Sequence, residues 1–165
     1  MIIYEDILRE FQKQKVKYVV VGGIAVNLLG SLRSTADIDI LVQMTDANLK
    51  KIVTILKLKG YRPKQPVDPM GLADKKIRQE WIDKEHMKAF NFYKKNSLNE
   101  LDIIIDSPVT FEKAVKTCKR FRCDDIIIPV ISVDNLIKMK IVSSRPLDMI
   151  DLEVLKTIKK MRAKK

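Results

Sequence analysis

Apolar positions along the chain switch between two periods, and the switches mark its elements. Ile7, Leu8 and Phe11 recur at helical spacing and predict an amphipathic helix over residues 4–15. Tyr18, Val19, Val20 and Val21 make a continuous apolar run, the mark of a buried strand, which stops at Gly22-Gly23. A helix-like segment to Gly30 follows, then a strand over 37–42 in which Asp37 and Asp39 alternate with Ile38 and Ile40. Leu49, Ile52, Val53 and Leu56 return to the helical period, with Asp46 as the expected cap and Gly60 as the stop. Pro63, Pro66 and Pro69 predict an extended loop over 61–70, followed by a shorter helix around 74–83. Strands over 88–93 and 101–105 flank a polar turn and predict an antiparallel hairpin. A helix over 111–119, short strands over 121–123 and 126–130 joined at Asp124-Asp125, and helices over 133–142 and 146–161 complete the reading. Helices and strands alternate with both parallel and antiparallel neighbours, so the fold class is α+β: a mixed β-sheet with helices packed on it and closing C-terminal helices.

Length changes this picture little. At 165 residues the chain is expected to form a single domain, with a sheet-containing core over 1–131 and closing helices over 132–165. No run of about 18 apolar residues is present, so no membrane span is expected. The start Met1-Ile2-Ile3-Tyr4-Glu5-Asp6 lacks the features of a secretory signal, and a cytoplasmic location is expected. Cys118 and Cys123 then read as reduced thiols. With His86 as the lone histidine and no Cys-x-x-Cys, a zinc site is not expected. His86 reads as a surface or loop residue, and Trp81 as core rather than a base-stacking platform.

Charge changes it more. The 32 Lys and Arg against 21 Asp and Glu leave a formal net charge of +11. Such a field concentrates polyanions and favours nucleic acid through counterion release. Lys156, Lys159, Lys160, Arg162, Lys164 and Lys165 crowd the C-terminus, where they also complement a helix dipole.

The candidate chemistry lies in residues 17–42. A strand alternates its side chains, so Asp37 and Asp39 fall on one face while Ile38 and Ile40 point to the other. Two adjacent carboxylates repel unless a cation neutralises them, and Mg²⁺ takes one or two carboxylates plus substrate phosphates. Gly22 and Gly23 let the backbone approach a phosphate closely, at the start of a helix whose first N–H groups are unpaired.

Gly22-Gly23, Gly30 and Arg33-Ser34-Thr35-Ala36-Asp37-Ile38-Asp39 together resemble the nucleotidyltransferase superfamily related to DNA polymerase beta. More narrowly they resemble the small bacterial and archaeal branch related to AbiEii-type enzymes. The resemblance implies that Gly22 and Gly23 hold a triphosphate, that Arg33 and Thr35 touch it, and that Asp37 and Asp39 bind Mg²⁺ or Mn²⁺.

Two-metal transfer needs a further grip on the second ion. Asp102 stands in the very apolar run 101–105, an expensive place for a charge without a cation. Glu100 and Asp106 share its face by alternation, although Asp106 before Ser107-Pro108 reads as a turn residue. In the resembled superfamily the third carboxylate comes from a strand beside the Asp-x-Asp strand, which matches Asp102 as metal ligand or base.

Charges also intrude on the last two helices. Val133, Leu136, Ile137 and Ile141 define one apolar stripe, with Lys140 at its edge; Leu147, Val154, Leu155 and Ile158 define another, into which Asp151 falls. One reading is a partly buried ion pair between the helices, with Arg145 as a candidate third member; the other is a lysine aimed at nucleotide phosphates and oriented by Asp148 or Asp151. Lys140, Arg145, Asp148 and Asp151 resemble the downstream signature of AbiEii-type enzymes, which implies nucleotide-binding roles for Lys140 and for Asp148 or Asp151. The chain departs from toxin members of that branch in size.

The expected function is transfer of a nucleoside monophosphate from an NTP to an acceptor hydroxyl with release of pyrophosphate. Charge points to RNA as the acceptor. The alternatives are a catalytically idle binding module, antitoxin-like or RNA-binding, and a transferase acting on a small molecule or a protein side chain. Clustered acids count against the first, and a basic surface counts against a cationic small acceptor.

Overall fold

The computed structural model describes residues 4–164; Met1, Ile2, Ile3 and the C-terminal Lys165 lie outside it. Helix α1 (Glu5–Lys13) turns Ile7, Leu8 and Phe11 inward and leads into β1 (Tyr18–Val21), a strand buried along its length. Helix α2 (Gly22–Leu29) begins directly at the glycine pair, with Val21 as a cap that supplies no side-chain acceptor. It ends at Gly30, whose φ of +127° favours glycine. Strand β2 (Asp37–Val42) alternates half-buried acids with buried Ile38 and Ile40.

Helix α3 (Asp46–Leu58) is capped by Thr45, not by the expected Asp46. The Thr45 hydroxyl accepts from Asn48 N, and Asp46 instead pairs with Arg78 at 3.3 Å. Buried Asn48 fastens α3 to the flanks of β1 and β2: its Nδ2 donates to the carbonyls of Lys17 (2.9 Å) and Gln43 (3.0 Å), and its Oδ1 accepts from Lys17 N (2.9 Å).

The expected loop over 61–70 contains an edge strand, β3 (Tyr61–Pro63), and leads to a 3₁₀ turn at Pro69–Ala73. Proline is tolerated in β3 because an edge strand needs fewer ladder bonds. Helix α4 (Lys75–Asp83), capped by Asp74, precedes the expected hairpin of β4 (Ala89–Lys94) and β5 (Glu100–Ile104). Helix α5 (Phe111–Thr117) stops short of Lys119, which opens β6 (Lys119–Cys123), and β6 pairs antiparallel with β7 (Ile126–Val130). Helices α6 (Val133–Ser143) and α7 (Pro146–Ala163) follow.

The seven strands form one sheet in the order β3-β4-β5-β2-β1-β7-β6. β1 pairs antiparallel with β2 and parallel with β7, while β2 pairs parallel with β5, so the sheet is mixed as expected. The core runs through Val19, Val20, Ile40, Phe90, Phe92 and Ile103, covered in part by Leu49, Ile52 and Leu56 of α3. Trp81 packs on this core with its ring 5.3 Å from that of Phe90, and His86 is exposed in the turn after α4. Both cysteines are free. Among the described residues, no helix is long and apolar enough to cross a membrane.

The C-terminal pair keeps most of its expected faces, with Val133, Leu136 and Leu155 buried and Lys140 and Asp151 intruding on them, and departs at two positions. Ile141 and Leu147, assigned to apolar stripes, are 56% and 50% exposed, whereas Lys140, Asp148 and Asp151 are buried. Opposite charges that neutralise one another across the helix pair let these three be buried beside Leu136, Leu152 and Leu155.

Candidate active site

The site begins where β1 becomes α2. Gly22 has φ +63°, and a Cβ built on it would stand 1.8 Å from Asp39 Oδ2. The Asp39 carboxylate therefore lies against the glycine backbone at the start of α2. A Cβ on Gly23 would stand 2.1 Å from Arg33 Nη2 and 2.8 Å from Thr35 Oγ1. Both side chains thus close over the second glycine, and five of the sequence candidates meet at one helix N-terminus whose first N–H groups have no side-chain cap.

Strand register brings in the acids. Val21 lies opposite Asp39 on the antiparallel side, and on the parallel side Asp37 pairs with Glu100 and Asp39 with Asp102. Asp39 and Asp102 are thus direct neighbours on adjacent strands. Burial, then the Asp102 charge, pushes the Asp39 carboxyl up to about 6, against the opposing pull of Lys140 and Arg145. Burial also raises Asp102, with hydrogen bonding from the Asn91 side chain opposing the rise and the Asp37 charge adding to it. Asp102 Oδ1 is buried without a hydrogen-bond partner.

The rival acids are otherwise engaged. Glu100 pairs with Lys64, and Asp106 pairs with Lys88 beyond the end of β5. Among the described residues, no three His, Cys, Asp or Glu side chains close into a metal cage. An open pair with an orphaned buried oxygen still suits a hard cation such as Mg²⁺, which completes its shell with water and substrate phosphates.

The C-terminal helices supply the opposing charge. Lys140 Nζ stands 2.6 Å from Asp148 Oδ1 and 2.7 Å from Asp151 Oδ2, so it bridges both carboxylates of α7. Arg145 grips the other oxygen of Asp148 through Nε at 2.9 Å and through its backbone N–H at 3.2 Å. Burial alone would raise Asp148; the bonds from Arg145 and Lys140 outweigh it and hold the carboxyl well below the usual range. Asp151 also faces Arg33, with 3.7 Å between Oδ1 and Nε. That is beyond hydrogen-bond reach, and Arg33 Nε and Nη1 are buried without acceptors. A guanidinium with unpaired buried donors beside a helix N-terminus is suited to an anion.

Other site residues are not evident in the sequence. Asn27 clamps the loop before β2, donating to Arg33 O (2.8 Å) and accepting from Arg33 N (3.0 Å). Its polarity within Ile24-Ala25-Val26-Asn27-Leu28-Leu29 is the only local signal. The buried Tyr4 hydroxyl reaches the carbonyls of Ala36 and Glu100 (2.8 Å to the latter) and accepts from Glu100 N (3.1 Å), joining the starts of β2 and β5.

Comparison with known proteins gives a consistent answer. Residues 1–164 match the model of a family described as nucleotidyltransferase of unknown function (DUF6036). No curated protein sequence matches. The fold is similar to that of the lincosamide antibiotic adenylyltransferase LnuA, solved with lincomycin bound, at 20% identity and a TM-score of 0.58 over 92% of this chain and 93% of that one. It is also similar to ANT(2")-Ia, solved in complex with adenylyl-2"-tobramycin, at 14% identity and a TM-score of 0.60 over 98% and 93%. An antigenic nucleotidyltransferase-like protein from Paracoccidioides brasiliensis aligns at 16% identity and a TM-score of 0.51 over 90% and 71%. These matches are to nucleotidyltransferases at large rather than to the AbiEii branch in particular. The chain belongs to this family of nucleotidyltransferases.

Proposed function

We propose that this member of the nucleotidyltransferase family moves a nucleoside monophosphate from an NTP to an acceptor hydroxyl and releases pyrophosphate. The observation that carries the reading is the register of Asp39 with Asp102, set against the Gly22 backbone at an uncapped helix N-terminus. Backbone N–H groups at Gly22 and Gly23 bind phosphate oxygens, and Arg33 and Thr35 close over them. Lys140, held between Asp148 and Asp151 at the edge of the site, offsets the Asp151 charge that faces Arg33, which leaves the guanidinium free for the phosphates. Asp37, Asp39 and Asp102 would hold a divalent cation, Mg²⁺ or Mn²⁺, which supplies charge neutralisation on the phosphates and acidifies the acceptor hydroxyl. Asp102 takes the acceptor proton at its unpaired Oδ1. The new bond joins the acceptor oxygen to the α-phosphorus as the bond to the pyrophosphate oxygen breaks.

The net charge of +11 supports a polyanionic acceptor, with an exposed RNA 3′ hydroxyl as its simplest form. A small-molecule hydroxyl is the second reading, supported by the antibiotic compounds in the two similar structures. Incubation with each α-labelled NTP, Mg²⁺ or Mn²⁺ and cell extract tests both. Label is expected in RNA for the first reading and in a small-molecule fraction for the second. Equal labelling by wild type and a folded Asp37→Asn, Asp39→Asn double variant would remove the enzyme reading altogether.

A further inference from the structure

We propose that Gln65 is a positioning residue for Asp102, acting through Asn91. The inference rests on the reading of Asp102 as part of the cation site. Asn91 on β4 is the direct antiparallel partner of Asp102 on β5, and the two side chains share a face. A carboxylate can use only the NH₂ end of an amide, because the other end is an acceptor like itself. Asn91 therefore helps Asp102 in one orientation and repels it in the other.

Gln65 sets that orientation. Its Nε2 donates to Asn91 Oδ1 at 2.7 Å and reaches Ala89 O at 3.4 Å, while its Oε1 accepts from Asn91 N at 3.2 Å. With Oδ1 engaged, the Asn91 NH₂ is the end left for Asp102, its direct cross-strand neighbour.

The segment carrying Gln65 is itself fastened down. Lys64 N donates to Asn91 O at 2.9 Å, and Lys64 Nζ pairs with Glu100, the neighbour of Asp37 in register. Pro63 and Pro66 flank it and fix their own φ angles, so Gln65 arrives with little freedom to lose. This short stretch after the edge strand thus fastens the β4–β5 side of the site. Partners that orient a ligating carboxylate matter because their loss lowers metal affinity without touching the ligand itself.

The test is Mn²⁺ titration in the presence of a non-hydrolysable NTP analogue, at a temperature where every variant is fully folded. Gln65→Glu places an acceptor opposite Asn91 Oδ1, so the amide turns its NH₂ away from Asp102. Mn²⁺ affinity is expected to fall by about tenfold to a hundredfold, with metal-free affinity for the analogue unchanged. Gln65→Met removes the donor without adding charge and is expected to act in the same direction, which covers failure of the first variant to fold. Wild-type Mn²⁺ affinity in the Gln65 variants, with weakened affinity in Asp102→Asn, would overturn the role of Gln65 alone. Unchanged Mn²⁺ affinity in Asp102→Asn would overturn the reading of Asp102, and the role of Gln65 with it.

Discussion

The Asp39 carboxylate occupies the space that a side chain on Gly22 would need, with 1.8 Å between Oδ2 and the position of such a Cβ. The proposed phosphate cradle and the proposed cation site therefore share one boundary. Gly22→Ala is expected to cost about 1–2 kcal/mol for a left-handed backbone alone, and also to displace Asp39. Gly30→Ala is the comparison, because its Cβ would meet only Ile158 Cδ1, at 3.8 Å. Thermal denaturation should show both variants weakened, whereas Mn²⁺-dependent NTP turnover should be lost only in Gly22→Ala. Equal turnover in the two would contradict the shared boundary.

Asp39 makes stability depend on pH in a defined direction. Its carboxyl is raised to about 6 in the fold, so between that value and the unfolded value near ~4 the folded state binds the extra proton. Stability contributed by this group is fully present below the unfolded value and is lost as pH rises through about 6. Without divalent metal, the melting temperature is expected to rise on acidification from pH ~7 to ~5, and this rise should flatten in Asp39→Asn. A wild-type profile matching that of Asp39→Asn would show that burial and the Asp102 charge do not raise the Asp39 carboxyl.

Lys140 is expected to behave as a buried ion-pair member. It lies between Asp148 and Asp151, and all three are buried. Lys140→Met leaves Asp148 to Arg145 alone and Asp151 with only Arg33, 3.7 Å away, with an expected loss of about 3–5 kcal/mol in chemical denaturation. Adding Asp148→Asn and Asp151→Asn should restore most of it. Near-wild-type stability in the single variant would remove the clamp and leave the lysine free for the nucleotide.

The basic C-terminal helix offers fewer free cations than its sequence suggests. Lys156 pairs with Glu153 at 3.2 Å, Lys159 with Asp134 at 2.6 Å, and Arg162 donates to Leu29 O at 3.0 Å, at the end of α2. Neutralising Lys156, Lys159 and Lys160 is expected to weaken RNA binding and to reduce its log–log salt slope by about one, since two of the three are paired with acids, with NTP affinity unchanged. Arg162→Ala should instead loosen α7 from α2. RNA affinity indifferent to salt would rule out the polyanionic acceptor.

The sequence by itself determined what is local and periodic. Apolar period located most helices and strands, alternation put Asp37 and Asp39 on one face, and an acid in an apolar strand made Asp102 a candidate beside Glu100 and Asp106. Each follows from backbone geometry within a few residues.

Elsewhere neighbouring residues offered nearly equal solutions. Thr45 and Asp46 can both cap α3, and the choice fell to Thr45 once Asp46 could reach Arg78 on α4. A strand of three residues ending in proline carries little signal of its own, and β3 exists because β4 offers it an edge. Helical period placed Lys140 and Asp151 on apolar stripes but could not choose between an ion pair and a free lysine, since burying Lys140 is favourable only with Asp148 and Asp151 opposite it.

Tertiary structure alone decided the meeting of Arg33 with Asp151 and of Gln65 with Asn91. The free energy of each contact depends on two segments far apart in the chain arriving together, and neither segment carries a sign of its partner.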